Sequence, residues 1–218
     1  FTWNNVTDAD EDTFTFQILV DNDAAFGSPA VNVSNLGALT YTPSSGTLSV
    51  DTSYYWKVRA ADSGFGAGNG SWSSARNFTI ESYVSITLPT SSTDFGNLAP
   101  GVSDNTTDGS PSPFTVENSC NVLLNVSVNA SQLFTMAALG ADNFRFKIDN
   151  TTEAGSFTWL GSVTSWTALL AAHINAINQL KYDDATDTAE VDILVTVPSD
   201  EPTGFKQSEV ELKASMAE

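Results

Sequence analysis

The run Thr52-Ser-Tyr-Tyr-Trp-Lys-Val-Arg-Ala60 constrains the fold of this chain more than any other stretch. Tyr54, Trp56, Val58 and Ala60 alternate with Tyr55, Lys57 and Arg59. Successive side chains of a strand point to opposite faces, so one face is large and apolar and the other amphipathic. A helix turns about 100° per residue and would scatter those apolar positions around its surface. The run therefore reads as a core strand, with Trp3, Leu48 and Trp72 as its packing partners.

Similar alternation, punctuated by Gly, Pro, Asn, Asp and Ser, predicts further strands at 1–4, 13–21, 30–34, 39–42 and 75–80. In 13–21 it is Phe14, Phe16, Ile18 and Val20 that share a face. A second unit follows, with strands expected at 84–88, 114–117, 122–128, 143–148, 156–160, 190–197 and 208–216. The segment 198–204, rich in Pro, Asp and Gly, reads as a hairpin loop between the last two. One segment has a different period. Trp166, Leu169, Leu170, His173, Ile174, Ile177 and Leu180 recur at i, i+3, i+4 spacing, which predicts an amphipathic helix over 165–181 with Ser165 as its N-cap. The fold class expected is all-β: two tandem β-sandwich domains, 1–80 and 81–218, joined near 81–83, the second carrying one helix.

Residues 1–80 resemble the fibronectin type III family. The resemblance rests on Trp3 in an early strand, Leu48 six residues before Tyr54, the Thr52-x-Tyr54-x-Trp56-x-Val58-x-Ala60 run, and Trp72-Ser73 before the last strand. It implies that Tyr54 is a tyrosine-corner residue whose hydroxyl bonds nearby backbone. It also implies a first strand ahead of Trp3, which is missing here and leaves 1–4 at an open sheet edge. Such an edge would accept a strand from an upstream segment or from another subunit. The second unit is similar to Ig-like modules of archaeal and bacterial surface proteins and, distantly, to subunits of secreted fibres. The phrases that carry this are Asp94-Phe-Gly-Asn-Leu-Ala-Pro-Gly101, Pro113-Phe-Thr-Val-Glu-Asn118 and Val191-Asp-Ile-Leu-Val-Thr-Val-Pro-Ser-Asp-Glu-Pro-Thr-Gly204.

Charge narrows the partners. With 26 acidic and 8 basic residues the formal net charge is −18, which argues against nucleic acid or an anionic membrane surface. It suits cation binding, a strongly solvated surface or a salt-rich habitat. The single cysteine, Cys120, allows no intrachain disulfide and reads as a buried thiol. No apolar run is long enough to span a membrane. The chain opens in mid-pattern without a Met or a signal peptide, as expected of a piece of a longer protein. Eight asparagines stand in Asn-x-Ser/Thr: Asn5, Asn32, Asn69, Asn77, Asn105, Asn125, Asn129 and Asn150. Chance would give about four, so N-linked glycans on an extracellular surface are expected.

Calcium is the chemistry these residue types suit best. Asp8, Asp10 and Asp12 alternate in one turn, Asp21 and Asp23 form a second cluster, and Asp183, Asp184 and Asp187 a third. Hard cations take six to eight oxygens, which short acidic loops supply. The EF-hand pattern is absent. Catalysis has weaker support. His173 stands alone, on the apolar side of the expected helix, and no nucleophile elbow accompanies it. Carboxylate pairs abound but sit in polar turns. Phe65 and Trp72 are candidates for stacking on sugar rings. The function expected is a non-enzymatic structural module of a surface protein or filament, with self-association or neighbouring domains as partners. The alternative is an adhesion or carbohydrate-binding accessory module of a larger secreted protein or hydrolase.

Overall fold

The computed structural model describes residues 1–7, 13–62 and 68–218. Two compact units divide it, Phe1–Ser82 and Tyr83–Glu218. The described residues form strands and turns and contain no helix, hence none long and apolar enough to cross a membrane. The architecture is all-β with antiparallel sheets, consistent with β-sandwich construction.

In the first unit, β1 (Phe14–Asp21), β2 (Val31–Leu36), β3 (Thr52–Asp62) and β4 (Arg76–Ile80) form one sheet in the order β2-β1-β3-β4. The β1–β3 ladder runs unbroken from Phe14↔Asp62 to Asp21↔Tyr55. It places Ile18 opposite Val58 and Val20 opposite Trp56, so two alternating apolar faces add into one. Ile18, Val20, Val31 and Tyr54 are the buried heart of this core, with Phe1, Trp3, Leu48, Trp56 and Phe78 packed on it in part. The Tyr54 hydroxyl accepts the Ser49 N–H at 2.8 Å, so a buried polar tip is satisfied inside an aromatic cluster. Tyr54 and Phe78 stack at 5.7 Å between ring centroids.

The covering layer is thin. Segments 1–4 and 39–42, expected as strands, meet only at the bridge Thr2↔Thr40. Trp3 N–H donates to Leu39 O at 3.1 Å, and Tyr41 N–H to Phe1 O at 3.0 Å.

The second unit has two sheets. In the larger, β10 (Thr167–Ala168), β9 (Phe144–Asp149), β12 (Thr188–Thr196), β7 (Phe114–Asn118) and β5 (Ile86–Thr90) lie in that order, and β6 (Ser103–Asn105) also pairs with β12. The smaller is β11 (Ile174–Leu180), β8 (Leu124–Ala130) and β13 (Val210–Met216), in that order. β7, β8 and β9 bury every second residue, the pattern of half-buried strands. Asn118 is 2 % exposed and fully used: its Nδ2 donates to Val122 O and Leu180 O, and its Oδ1 accepts from the Cys120 amide and thiol.

Three expectations need correction here. The helix over 165–181 is absent; Thr167–Ala168 and Ile174–Leu180 are strands. β11 slips register twice against β8, pairing Ile174, Ile177 and Leu180 with Val128, Val126 and Leu124. Each slip adds a residue, so the inward positions recur every third residue and imitate a helical period. Gln179 takes a left-handed φ of 54° within the second slip. The segment 198–204 is no hairpin, because β12 and β13 belong to different sheets. Segment 156–160 makes only the bridge Thr158↔Asn178.

Two substitutions test these cores. Tyr54→Phe leaves the Ser49 amide without its acceptor and is expected to cost about 1–3 kcal/mol, read by urea unfolding of the first unit. Asn118→Leu strands three backbone groups at once and is expected to cost about 3 kcal/mol or more in the second unit.

Candidate functional site: an open cleft at the edge of the first unit

Burial falls away along β3. Tyr54 is 5 % exposed, yet Trp56, Val58 and Ala60, on the same face, are only half-buried. Beyond them lies a cleft of about 640 Å³. Trp3, Phe16, Trp56 and Val58 line its apolar part, and Thr2 and Asn4 form one bank. Trp3 and Phe16 rings stand 5.6 Å apart, and Phe1 holds Trp56 at 5.3 Å from the other side.

The bank is a sheet edge. Phe1 and Trp3 use their backbone groups towards 39–41, so those of Thr2 and Asn4 point away. Both residues are exposed, and among the described residues nothing bonds their amides or carbonyls. The Trp3 indole N–H is buried and has no acceptor. Native structures rarely leave such a donor unpaired.

The far bank carries charge. Arg76 pairs in register with Trp56, so it occupies an inward-facing position. It is nevertheless exposed, with its guanidinium 6.0 Å from the Trp56 ring. Lys57 and Arg59 alternate to the opposite face of β3, and Arg59 also lines the cleft. Lys57 sits 3.9 Å from the Phe26 ring and 5.0 Å from that of Trp72, and Arg59 is 4.4 Å from Trp72. Arg59 also donates to Gln17 Oε1. Trp72 therefore packs against the amphipathic face and the rim of the cleft rather than in the core where the sequence put it. Ser73 N–H donates to Val58 O and Val58 N–H to Ser73 Oγ, which fixes that rim.

The acidic clusters divide. Asp8, Asp10, Asp12 and also Phe65 lie outside the described residues. Asp21 is 1 % exposed, and its carboxylate accepts the amides of Asp23 and Ser28; Asp23 accepts that of Ala25. These two hold the β1–β2 turn. Asp183 and Asp184 are exposed, whereas Asp187 is buried. Burial, then the charges of Glu153, Glu117 and Asp184, push the Asp187 carboxyl above its usual range. Glu153 accepts the Thr188 hydroxyl at 2.6 Å and the amides of Asp187 and Thr188, and this holds its own carboxyl low. Among the described residues no three His, Cys, Asp or Glu side chains converge as metal ligands.

The sequon asparagines also differ. Asn5, Asn32, Asn69 and Asn77, all in the first unit, are exposed; Asn105, Asn125, Asn129 and Asn150 are half-buried. Asn125 Oδ1 accepts Gln179 N–H, and Asn129 Nδ2 donates to Ala171 O. Cys120 is buried. His173 lies at the surface of the smaller sheet, not on an apolar face, between Ser127 Oγ at 3.3 Å and Glu211 Oε2 at 3.4 Å. Ser127 Oγ also lies within hydrogen-bond distance of Lys213 O, at 3.2 Å, so its hydroxyl has two acceptors within reach.

Two charged clusters of the second unit were not singled out from the sequence. Lys147 reaches Asp149 at 2.6 Å and the buried Asp192 at 3.1 Å; Asp192 also accepts the Thr106 hydroxyl. Burial works against the Lys147 charge, but those carboxylates hold its pKa above the usual range. Glu201 accepts the amides of Thr135 and Met136 and pairs with Lys206 at 2.6 Å. Burial opposes its ionisation; Lys206 and the two amides prevail and bring its pKa to about 2.

No family model and no curated protein sequence matches the chain. Among solved structures, the crystal structure of Streptomyces avermitilis alpha-L-rhamnosidase complexed with L-rhamnose is similar at 14 % identity and a TM-score of 0.25. The match covers 93 % of this chain and 20 % of that one. At that score the likeness carries no weight for site or activity.

Glu201 sets a pH dependence. Its folded pKa lies below the ordinary glutamate value of 4.5, so its contribution is complete above that value and is lost as pH falls from there towards about 2. The melting temperature is expected to drop through this window, and Glu201→Gln to lower the pH 7 value and flatten the drop.

Proposed function

We propose that this chain is a structural module of an extracellular surface protein or filament, completed at its first unit by an added β-strand. The observation that carries the reading is the half-exposed inner face of β3 beside the free edge of Thr2 and Asn4. The part of Trp56 and Val58 that stays exposed to water is unfavourable, at about 25 cal/mol per Å² of apolar surface. A strand laid along 1–4 would cover that face, bond the free amides and carbonyls, and place an acceptor near the Trp3 indole. The fibronectin type III resemblance of residues 1–80 supports the same placement, since the strand it implies ahead of Trp3 belongs on this bank. The four exposed sequons of the first unit suit a glycosylated outer surface.

A second reading has one observation of its own. Trp3, Trp56 and Trp72 border a cleft rimmed by the hydroxyls of Ser71, Ser73 and Ser74, a composition that also suits a sugar chain. Immobilised chain panned against displayed random decapeptides tests the first reading. Enriched extended sequences should protect the Thr2 and Asn4 amides from hydrogen exchange. Binding should fall at least tenfold in Asn4→Pro, which removes one edge donor. No enrichment, alongside retention on a glycan array, would replace this reading with the second.

A further inference from the structure

Resting on the strand-addition reading, we infer that the cleft selects an extended peptide segment with a carboxylate at one inward-facing position and apolar residues at the neighbouring ones. Three features at the cleft point there. First, the banks carry no acidic residue among those described, in a chain whose acids outnumber its bases 26 to 8. Second, Arg76 stands at an inward register position, directly opposite Trp56; among the described residues no carboxylate pairs with it, and its guanidinium has only the Trp56 ring, 6.0 Å away, for company. An inward arginine is costly once a strand covers it, unless the covering strand brings a charge of opposite sign. Third, the Trp3 indole N–H and the Thr2 and Asn4 edge lack partners among the described residues, and they call for backbone groups rather than charges.

The geometry then fixes a pattern. A strand beside 1–4 directs alternate side chains at the inner face of β3 and β4. Those above Trp56 and Val58 meet carbon and should be apolar. The one above Arg76 meets a planar guanidinium with free donors, which a carboxylate matches in a bidentate pair. The segment recognised is therefore alternating, apolar inward, with a single inward Glu or Asp. Long-range attraction does not explain this choice, because the chain as a whole repels acidic peptides.

The test uses the full chain at about 0.15 M salt, where distant charges are largely screened. The probes are lysine-tagged decapeptides alternating Thr and Val, with Glu or its isostere Gln placed at each Val position in turn, and a control with Glu moved to a Thr position. Binding is read by the fluorescence of the cleft tryptophans. At one Val position Glu should bind at least threefold tighter than Gln, the control should lose that gain, and Arg76→Gln should abolish it. Glu and Gln peptides binding alike, or a Glu advantage that persists in Arg76→Gln, would overturn the carboxylate selection and leave strand addition standing. No binding by any peptide would overturn both.

Discussion

An apolar sheet face needs a second layer, and among the described residues of the first unit that layer reaches only part of the way. Ile18, Val20 and Tyr54 lie where the cover is complete, and they are buried to 5 % exposure or less. The ladder between β1 and β3 is continuous, so the apolar face continues past them regardless. Trp56 and Val58 sit where the cover ends. Local pairing and global packing agree along one half of β3 and part company along the other. Such a disagreement in an otherwise consistent fold is the observation on which the strand-addition proposal rests.

The second unit shows the opposite condition. Its sheets bury alternate residues of β7, β8 and β9, and its buried polar side chains are largely bonded within the unit, the buried Thr93 hydroxyl excepted. Asn118 ties a turn to β11, Thr106 and Lys147 neutralise Asp192, and Glu201 gathers the amides of Thr135 and Met136 with Lys206. Buried charge in this unit comes paired and hydrogen-bonded, the condition under which it is tolerated. The contrast with Arg76, inward and unpaired, sets the first unit apart.

Much of this was legible in the sequence, and the rest failed for identifiable reasons. Alternation predicted β1, β3, β9 and β12 because those strands pair without slips along most of their length. It misplaced β11, where two register slips spaced the inward residues three apart. Ser103–Asn105 was hidden in a polar loop, since its partners on β12 supply the hydrophobicity and it supplies almost none. Of the site, an edge at 1–4 was an expectation drawn from the fibronectin resemblance. Arg76 was not, because an arginine two residues before Phe78 looks like an ordinary exposed position until the Trp56↔Arg76 register turns it inward. Trp72, read as a packing partner of the core strand, packs under Lys57 and Arg59 on the amphipathic side of β3.

The central claim is that the first unit has a free edge at Thr2 and Asn4 beside an uncovered apolar face. Residue-resolved hydrogen exchange on the chain alone reads this directly. Amides of Trp3 and Tyr41, which donate to Leu39 O and Phe1 O, should be protected, while those of Thr2 and Asn4 exchange at nearly the rate of an unstructured chain. Equal protection of all four in the isolated chain would mean that the edge is already covered and would contradict the account.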